Sequence, residues 1–144
     1  MNNIKPIRMI FSKLNEWQRP FIGSLVPAGF PSPAQDYIES VLDLNELLIQ
    51  HPAATYFVRV EGYSMINSGI NPNDILIVDR SLEAADGKVV IAVLEGEFTV
   101  KRLQINKKGE YYLMPDNDAY KPIKITNEMD FSIWGVVTNV IHKL

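Results

Sequence analysis

Short apolar runs rich in β-branched side chains occupy the second part of this chain of 144 residues, and turn-forming residues separate them. The clearest runs are Tyr56–Val60, Asp74–Asp79, Val89–Leu94 and Phe131–Ile141. Runs of this composition predict β-strands. Short strands with regular turns are typical of a barrel-like or curved sheet. We therefore predict a mainly β domain over residues 55–144.

Turn signals fix how these strands connect. The segment Leu94–Phe98, with Glu-Gly at its centre, predicts a tight hairpin, and Asn106–Glu110 predicts a turn before a further strand. Asp74 and Asp79 bracket an apolar run, and we interpret them as ordinary strand-end residues. Trp134, with apolar neighbours on either side, is predicted to lie in the core or at a dimer contact.

The first 32 residues show no clean hydrophobic period and contain several glycines and prolines. Proline restricts both itself and the residue before it to extended or turn geometry. We therefore predict an arm at the N-terminus rather than a part of the core. The stretch Val26–Pro31 should be extended and accessible, which is the form of chain that a protease cleft binds.

Helical signals lie between the arm and the β domain. Ser32 can cap a helix that begins at Pro33, and apolar residues then recur at helical spacing as far as Leu42. A second short helix is predicted over Leu44–Gln50, with Asp43 as its cap and the following His-Pro as its stop. Residues 29–54 are thus predicted to form a tether or a lid.

Composition narrows the function classes. Hydrophobic residues make up 47% of the chain and charged residues 22%, as in an ordinary globular protein. The net charge of −3 argues against strong direct binding to nucleic acid. The absence of cysteine excludes a thiol nucleophile, a disulfide scaffold and a cysteine zinc site. No apolar run predicts a membrane span or a signal peptide, so we expect a cytoplasmic protein.

Two residues carry candidate chemistry. Ser64 follows Gly62 at the point where a predicted strand breaks, so its hydroxyl should lie on a turn. Lys101 lies in an alternating strand with apolar neighbours. A serine hydroxyl becomes a good nucleophile only when a base removes its proton. A lysine serves as that base when burial lowers its pKa.

The chain also contains five longer stretches of informative sequence, two of which include Ser64 and Lys101. They are Ala28–Ala34, Leu48–Phe57, Gly62–Met65, Asp74–Asp79 and Gly96–Leu103. Together they resemble the LexA-type self-cleaving serine peptidases, and within that group most closely the UmuD-like proteins of SOS mutagenesis. The resemblance extends from Phe21 to the C-terminus.

The resemblance implies a catalytic dyad in which Ser64 is the nucleophile and Lys101 is the general base. It also implies that the backbone N–H groups of Tyr63 and Ser64 stabilise the oxyanion. The cleaved bond would be Ala28–Gly29, which would release residues 1–28 as a free arm. Relatives within the UmuD-like group carry cysteine at the position of Ala28, so this chain departs from them there and agrees with the repressors.

The sequence gives little support to other catalytic mechanisms. A Ser-His-Asp triad would need His51 or His142, and their positions favour capping or surface roles instead. Histidine and acidic residues do not cluster at metal-ligand spacing, and isolated glycines do not make a phosphate-binding loop. We therefore expect neither a metal nor an organic cofactor.

The resemblance also implies partners. The protein would form a homodimer, a RecA filament on single-stranded DNA would stimulate its cleavage, and the trimmed dimer would join a UmuC-like Y-family polymerase in translesion synthesis. A LexA-type repressor is a poorer interpretation, because the 28 residues before the cleavage site, with Pro6 and Pro20 among them, do not supply a helix-turn-helix domain. A non-catalytic module that docks on a polymerase and retains a relic dyad stays open as an alternative.

Overall fold

A computed structural model describes residues 16–23, 25–31 and 40–144. The described residues fall into two compact units, which divide between Gln50 and His51. The second unit contains the candidate catalytic residues Ser64 and Lys101 and is the larger of the two.

In its described residues, the first unit contains a two-stranded antiparallel sheet and one short helix. Strand β1 is Arg19–Phe21, strand β2 is Ser40–Leu42, and helix α1 is Leu44–Leu48. The Asp43 side chain accepts a hydrogen bond from the Asn45 backbone N–H at 2.9 Å, which confirms the predicted cap.

The predicted helix from Ser32 to Leu42 is wrong at its C-terminal end. Residues 32–39 lie outside the described part of the chain, but Val41 and Leu42 belong to a strand. Val41 pairs with Pro20 of β1. The β-branched side chain of Val41 suits this strand better than a helix, and the pairing with β1 joins residues too far apart in sequence for a local pattern to reveal.

The second unit is mainly β, as predicted. Its strands are β3 Thr55–Arg59, β4 Ile75–Asp79, β5 Val89–Leu94, β6 Glu97–Ile105, β7 Tyr111–Met114, β8 Ile123–Lys124 and β9 Phe131–Ile141. Two 3₁₀ turns, Pro52–Ala54 and Ile66–Ser68, flank β3 and the segment that follows it. The sequence pattern did not predict β8, which is only two residues long.

These seven strands form one antiparallel sheet in the order β3-β4-β9-β5-β6-β7-β8. The sheet is open, because β3 and β8 lie at its edges and do not pair with each other among the described strands. The predicted hairpin joins β5 to β6 through Glu95 and Gly96, whose φ angles of 52° and 79° match a type I′ turn.

Strand β5 explains why the sheet has two hydrophobic clusters. Ile91 packs into one cluster, whereas Val90 and Ala92 pack into the other. Successive side chains of a strand point to opposite faces, so a strand covered on both faces is apolar at nearly every position. The first cluster also contains Met65, and it therefore supports the segment that carries Ser64.

The two carboxylates at the ends of β4 are more than strand-end residues, which corrects the expectation from sequence. Asp74 and Asp79 are 3% and 4% exposed. His142 Nδ1 lies 2.6 Å from an Asp74 carboxylate oxygen, and His51 Nδ1 lies 2.6 Å from one of Asp79. A buried carboxylate needs hydrogen-bond partners, and each histidine supplies one from a distant part of the chain.

Asp79 makes the fold sensitive to acid. Hydrogen bonds from Ser81 and His51 lower the pKa of Asp79 from 3.8 to about 2. Because the pKa is lower in the folded state, the carboxylate stabilises the fold above about pH 4, and this contribution is lost as the pH falls toward 2. We expect the free energy of unfolding to drop across this range. Asp79→Asn should be less stable at pH 7 and should show a shallower drop.

Urea denaturation at a series of pH values measures this effect. Asp118→Asn is a matched control, because Asp118 is an exposed aspartate of the same sheet unit. A drop as steep in Asp79→Asn as in the parent chain would assign the acid sensitivity to other carboxylates, Asp74 first among them.

Candidate active site

The turn that carries Ser64 begins shortly after β3 ends. Gly62 has a φ of +85°, in the left-handed region that favours glycine. The strand cannot continue through this conformation, so the chain turns and places Ser64 in a partly buried position. Met65, 2% exposed, anchors the turn in the core. The Ile66 N–H also donates a hydrogen bond to the Tyr63 carbonyl at 3.3 Å.

Lys101 reaches this turn from β6. Its Nζ lies 3.0 Å from Ser64 Oγ, 2.9 Å from Thr99 Oγ1 and 3.1 Å from the Val100 carbonyl oxygen. Burial lowers the pKa of the Lys101 amine below its ordinary value of 10.5, because the ammonium form loses hydration. Among the described residues, no ion pair includes Lys101.

The partners of Nζ can satisfy an uncharged amine as well as an ammonium group. The Val100 carbonyl can only accept a hydrogen bond, and the Thr99 hydroxyl can accept a second one. These two groups take the two hydrogens of a neutral amine and leave its lone pair for the Ser64 hydroxyl, which can donate. In this state Lys101 is placed to remove the proton from Ser64 Oγ.

A cleft of about 570 Å³ opens beside the pair. It is lined by Val58–Gly62, by Phe98–Lys101 and by Trp134, besides residues around Ser64. Strand β7 pairs with β6 only from Arg102 onward, so residues 98–101 have no strand partner on that side within the described residues. Extended backbone and apolar side chains are the features that bind an extended peptide.

Ala28 and Gly29 lie in the first unit, in an exposed bend outside regular secondary structure. The flanking side chains are exposed as well, Val26 to 82% and Phe30 to 95%. A Cβ atom added at Gly29 would meet no atom within 4 Å. An exposed irregular segment of this kind is where proteolysis concentrates.

The backbone N–H groups of Tyr63 and Ser64 donate to no protein acceptor in the described part of the chain. Free N–H groups beside a nucleophile are the donors that an oxyanion needs. Their role as an oxyanion hole stays a prediction.

The alternative chemistries have no counterpart at this site. His51 and His142 bond to Asp79 and Asp74 rather than to Ser64. The described residues contain no group of three or more histidine and acidic side chains that could hold a metal ion. In the same residues, no helix is long and apolar enough to cross a membrane.

Sequence reasoning missed part of the site. Trp134, predicted as core or dimer contact, does pack against the first hydrophobic cluster, but it also lines the cleft. Its ring centroid lies 5.2 Å from that of Tyr56 and 5.7 Å from that of Phe98, both in edge-to-face geometry. Asn117 was not singled out, yet its Nδ2 donates to the Tyr63 carbonyl at 2.8 Å. Asn117 lies in a run of turn-forming residues, and nothing in that run distinguishes it from a surface turn.

An open antiparallel sheet with a serine–lysine pair in a peptide-sized cleft is typical of Ser/Lys peptidases. Comparison with known proteins agrees with this class. The family model described as Peptidase S24-like matches residues 20–138. The chain therefore belongs to the Peptidase S24-like family, as a member of its UmuD-like group.

Individual relatives support this placement. Protein SamA of Salmonella typhimurium is 48% identical over 124 residues, which cover 86% of this chain and 85% of SamA. Protein ImpA of the same species is 42% identical over 129 residues, covering 90% of this chain and 87% of ImpA. LexA repressor 2 of Pseudomonas syringae is 39% identical over 124 residues, which cover 86% of this chain but 60% of the repressor. These similarities support a role in SOS mutagenesis.

Proposed function

We propose that this chain is a serine peptidase that cuts its own Ala28–Gly29 bond, with Ser64 as the nucleophile and Lys101 as the general base. The observation that carries the proposal is the 3.0 Å contact between Lys101 Nζ and Ser64 Oγ, made by a lysine whose pKa burial lowers. A lowered pKa leaves the amine neutral in a larger fraction of molecules at any given pH, and only the neutral amine can act as a base.

The proposed reaction has two stages, of which the first forms an ester on Ser64. Ser64 Oγ attacks the carbonyl carbon of Ala28 while its proton passes to Lys101 Nζ. The N–H groups of Tyr63 and Ser64 bind the oxyanion of the tetrahedral intermediate. When the intermediate collapses, the bond to the Gly29 nitrogen breaks, and that nitrogen takes the proton from Lys101. Ala28 is left as an ester on Ser64.

Water then completes the cycle. Lys101, neutral again, removes a proton from a water molecule that attacks the ester carbonyl. The ester bond breaks, Ser64 Oγ regains its proton from Lys101, and residues 1–28 leave with a new carboxylate. The remaining product begins at Gly29.

The cleavage segment suits the cleft chemically. Leu25 and Val26 are 97% and 82% exposed, so their side chains are available to bind elsewhere. The cleft lining includes the apolar residues Val58, which is partly exposed, and Phe98, which is 66% exposed, and such a segment would pack against them. Burying an exposed valine or leucine side chain is worth about 1.5–3 kcal/mol, which would help to hold the segment in place.

The wider role in this proposal follows the resemblance to UmuD-like proteins. A RecA filament on single-stranded DNA stimulates the cut, and the trimmed cytoplasmic homodimer then serves as an accessory subunit of a UmuC-like Y-family polymerase during translesion synthesis. The net charge of −3 fits action on DNA through protein partners rather than by direct binding.

Intact-mass spectrometry tests the cut directly. The purified chain is incubated at alkaline pH, and in parallel at neutral pH with RecA, single-stranded DNA and a nucleotide cofactor. We expect one new pair of masses, corresponding to residues 1–28 and 29–144. Ser64→Ala should yield neither mass under any of these conditions.

Other outcomes would be equally informative. A chain that stays intact in every sample would contradict the peptidase proposal and favour a non-catalytic module that docks on a polymerase. Fragments that also form from Ser64→Ala would point to a contaminating protease. Cleavage at alkaline pH without any effect of RecA would support the dyad and contradict the proposed stimulation.

A further inference from the structure

The loop after β7 contacts the chain on both sides of Ser64. The Asn117 side chain donates from Nδ2 to the Tyr63 carbonyl at 2.8 Å. The Asp116 carbonyl accepts from the Asn67 N–H at 2.8 Å, and the Asp116 N–H lies 3.4 Å from the Met65 sulfur. This loop therefore contacts the residue before Ser64 and two of the residues after it.

The Asn117 side chain is itself fixed. Its Oδ1 accepts from the Ala119 N–H at 3.0 Å, and its backbone carbonyl accepts from the Tyr120 N–H at 3.1 Å. The first bond requires an oxygen and the contact to Tyr63 requires an N–H donor, so the two bonds together set the orientation of the amide.

An ion pair connects the same loop to β6, the strand that contains Lys101. Arg102, next to Lys101 on β6, donates from Nε and Nη2 to Asp116 Oδ2 at 3.0 and 2.8 Å. Its Nη1 donates to the Gly87 carbonyl at 2.6 Å. A guanidinium held at three points is a rigid anchor. The positions of the Ser64 turn and of the Lys101 strand are thus coupled through Arg102 and Asp116.

Peptide geometry gives Asn117 a function in this arrangement. The Tyr63 carbonyl and the Ser64 N–H belong to one planar trans peptide, so they point in opposite directions. Fixing the carbonyl therefore fixes the direction of the N–H. A carbonyl that accepts a hydrogen bond also strengthens its own N–H as a donor.

We propose that Asn117 is a positioning residue, which aims the Ser64 N–H at the oxyanion through its hydrogen bond to the Tyr63 carbonyl. The Arg102–Asp116 ion pair holds the loop where Asn117 can make this bond. The inference rests on the proposed self-cleavage and adds to it a residue that touches neither the nucleophile's hydroxyl nor the base.

The test compares two substitutions of Asn117. Asn117→Asp keeps the acceptor for the Ala119 N–H but sets a carboxylate oxygen against the Tyr63 carbonyl. Asn117→Ala removes both bonds. The first-order rate of self-cleavage is measured against pH in the full chain, and each profile gives a plateau rate and a midpoint pH. We expect the plateau to fall by about 10- to 100-fold in both variants, which is less than the 10²–10³ typical of deleting an oxyanion donor.

The midpoint pH distinguishes a positioning role of Asn117 from a general disruption of the active site. Asn117 does not contact Lys101, so the midpoint of the uncharged Asn117→Ala variant should stay at the value of the parent chain. Asn117→Asp adds a negative charge near the site, which favours the ammonium form of Lys101, so only its plateau rate is compared. A site that opens to water would instead move the midpoint upward, toward the value of an ordinary lysine. A shifted midpoint with an unchanged plateau would overturn the inference.

Asn106→Ala is the matched control. Asn106 makes the same kind of turn in the β6–β7 loop, where its Oδ1 accepts from the Lys108 N–H at 3.0 Å and its Nδ2 donates to Glu110. We expect it to leave the plateau unchanged at a comparable loss of thermal stability. If Asn117→Ala does not fold, the plateau rate of Asn117→Asp is measured instead, at a temperature below the melting point of that variant. A parent chain that does not cut would defeat the proposed function, whereas Asn117 variants that cut at the parent's rate would defeat only this inference.

Discussion

Replacing Lys101 with alanine should reduce the rate of the proposed self-cleavage by about 10⁴-fold or more, as should Ser64→Ala, because either change removes one partner of the proposed proton transfer. Losses of this size are typical when the nucleophile or the base of a serine peptidase is deleted. Lys101→Arg should be equally inactive. Arginine keeps the positive charge and donor capacity, but its guanidinium does not deprotonate in proteins.

The parent chain should cut faster as the pH rises. Only the neutral amine accepts the serine proton, so the rate should increase about tenfold per pH unit and then level off. Because burial lowers the pKa of Lys101, the midpoint should lie below 10.5. Quantifying the Gly29–Leu144 product by mass spectrometry at timed intervals gives the rate at each pH.

Lys124→Ala is a suitable control for this profile. Lys124 is a lysine of the same sheet, but it pairs with Glu110 at 2.7 Å, away from Ser64. It should leave both the rate and the midpoint unchanged. A parent rate independent of pH, or an active Lys101→Arg, would exclude Lys101 as the base.

Much of the fold could be predicted because local sequence patterns determine where its long strands begin and end. The limits of β5 and β9 match the predicted runs, since Val89–Leu94 and Phe131–Ile141 are bounded by turn residues and covered by other strands. The two-residue strand β8 and the β1–β2 pair escaped prediction. Strands β1 and β2 pair across a long intervening segment, and all three strands have too few residues to show a period.

The pairing of Ser64 with Lys101 was suggested by resemblance more than by spacing, and its catalytic role stays a prediction. A serine after a glycine turn and a lysine in a strand are common, and only the surrounding motifs singled out Ser64 and Lys101. The structure adds two features that no motif indicated. These are the 3.0 Å contact between Lys101 Nζ and Ser64 Oγ and the hydrogen bond from Asn117 to the turn. Asp74 and Asp79 were missed because their partners, His142 and His51, are brought to them only by the folded sheet.

The second large effect should come from a single methyl group at Gly135, in the middle of β9. A Cβ atom there would lie 2.5 Å from Val78 Cγ1 and 3.3 Å from Arg80 Cγ. Val78 is fully buried, and its branched side chain has few alternative rotamers. Strand β9 lies between β4 and β5, so it cannot move outward to relieve the contact. We expect Gly135→Ala to lower the free energy of unfolding by about 1–3 kcal/mol, as overpacked cores do.

Urea denaturation of the parent chain and four variants tests whether this contact is the cause. Val78→Ala alone should also destabilise, because it leaves a cavity. In the double variant the new methyl group occupies part of that space, so the combined loss should be smaller than the sum of the two single losses. Ser132→Ala, at an exposed position of the same strand, should change stability little. Strictly additive losses would show that Gly135 is required for a reason other than its approach to Val78.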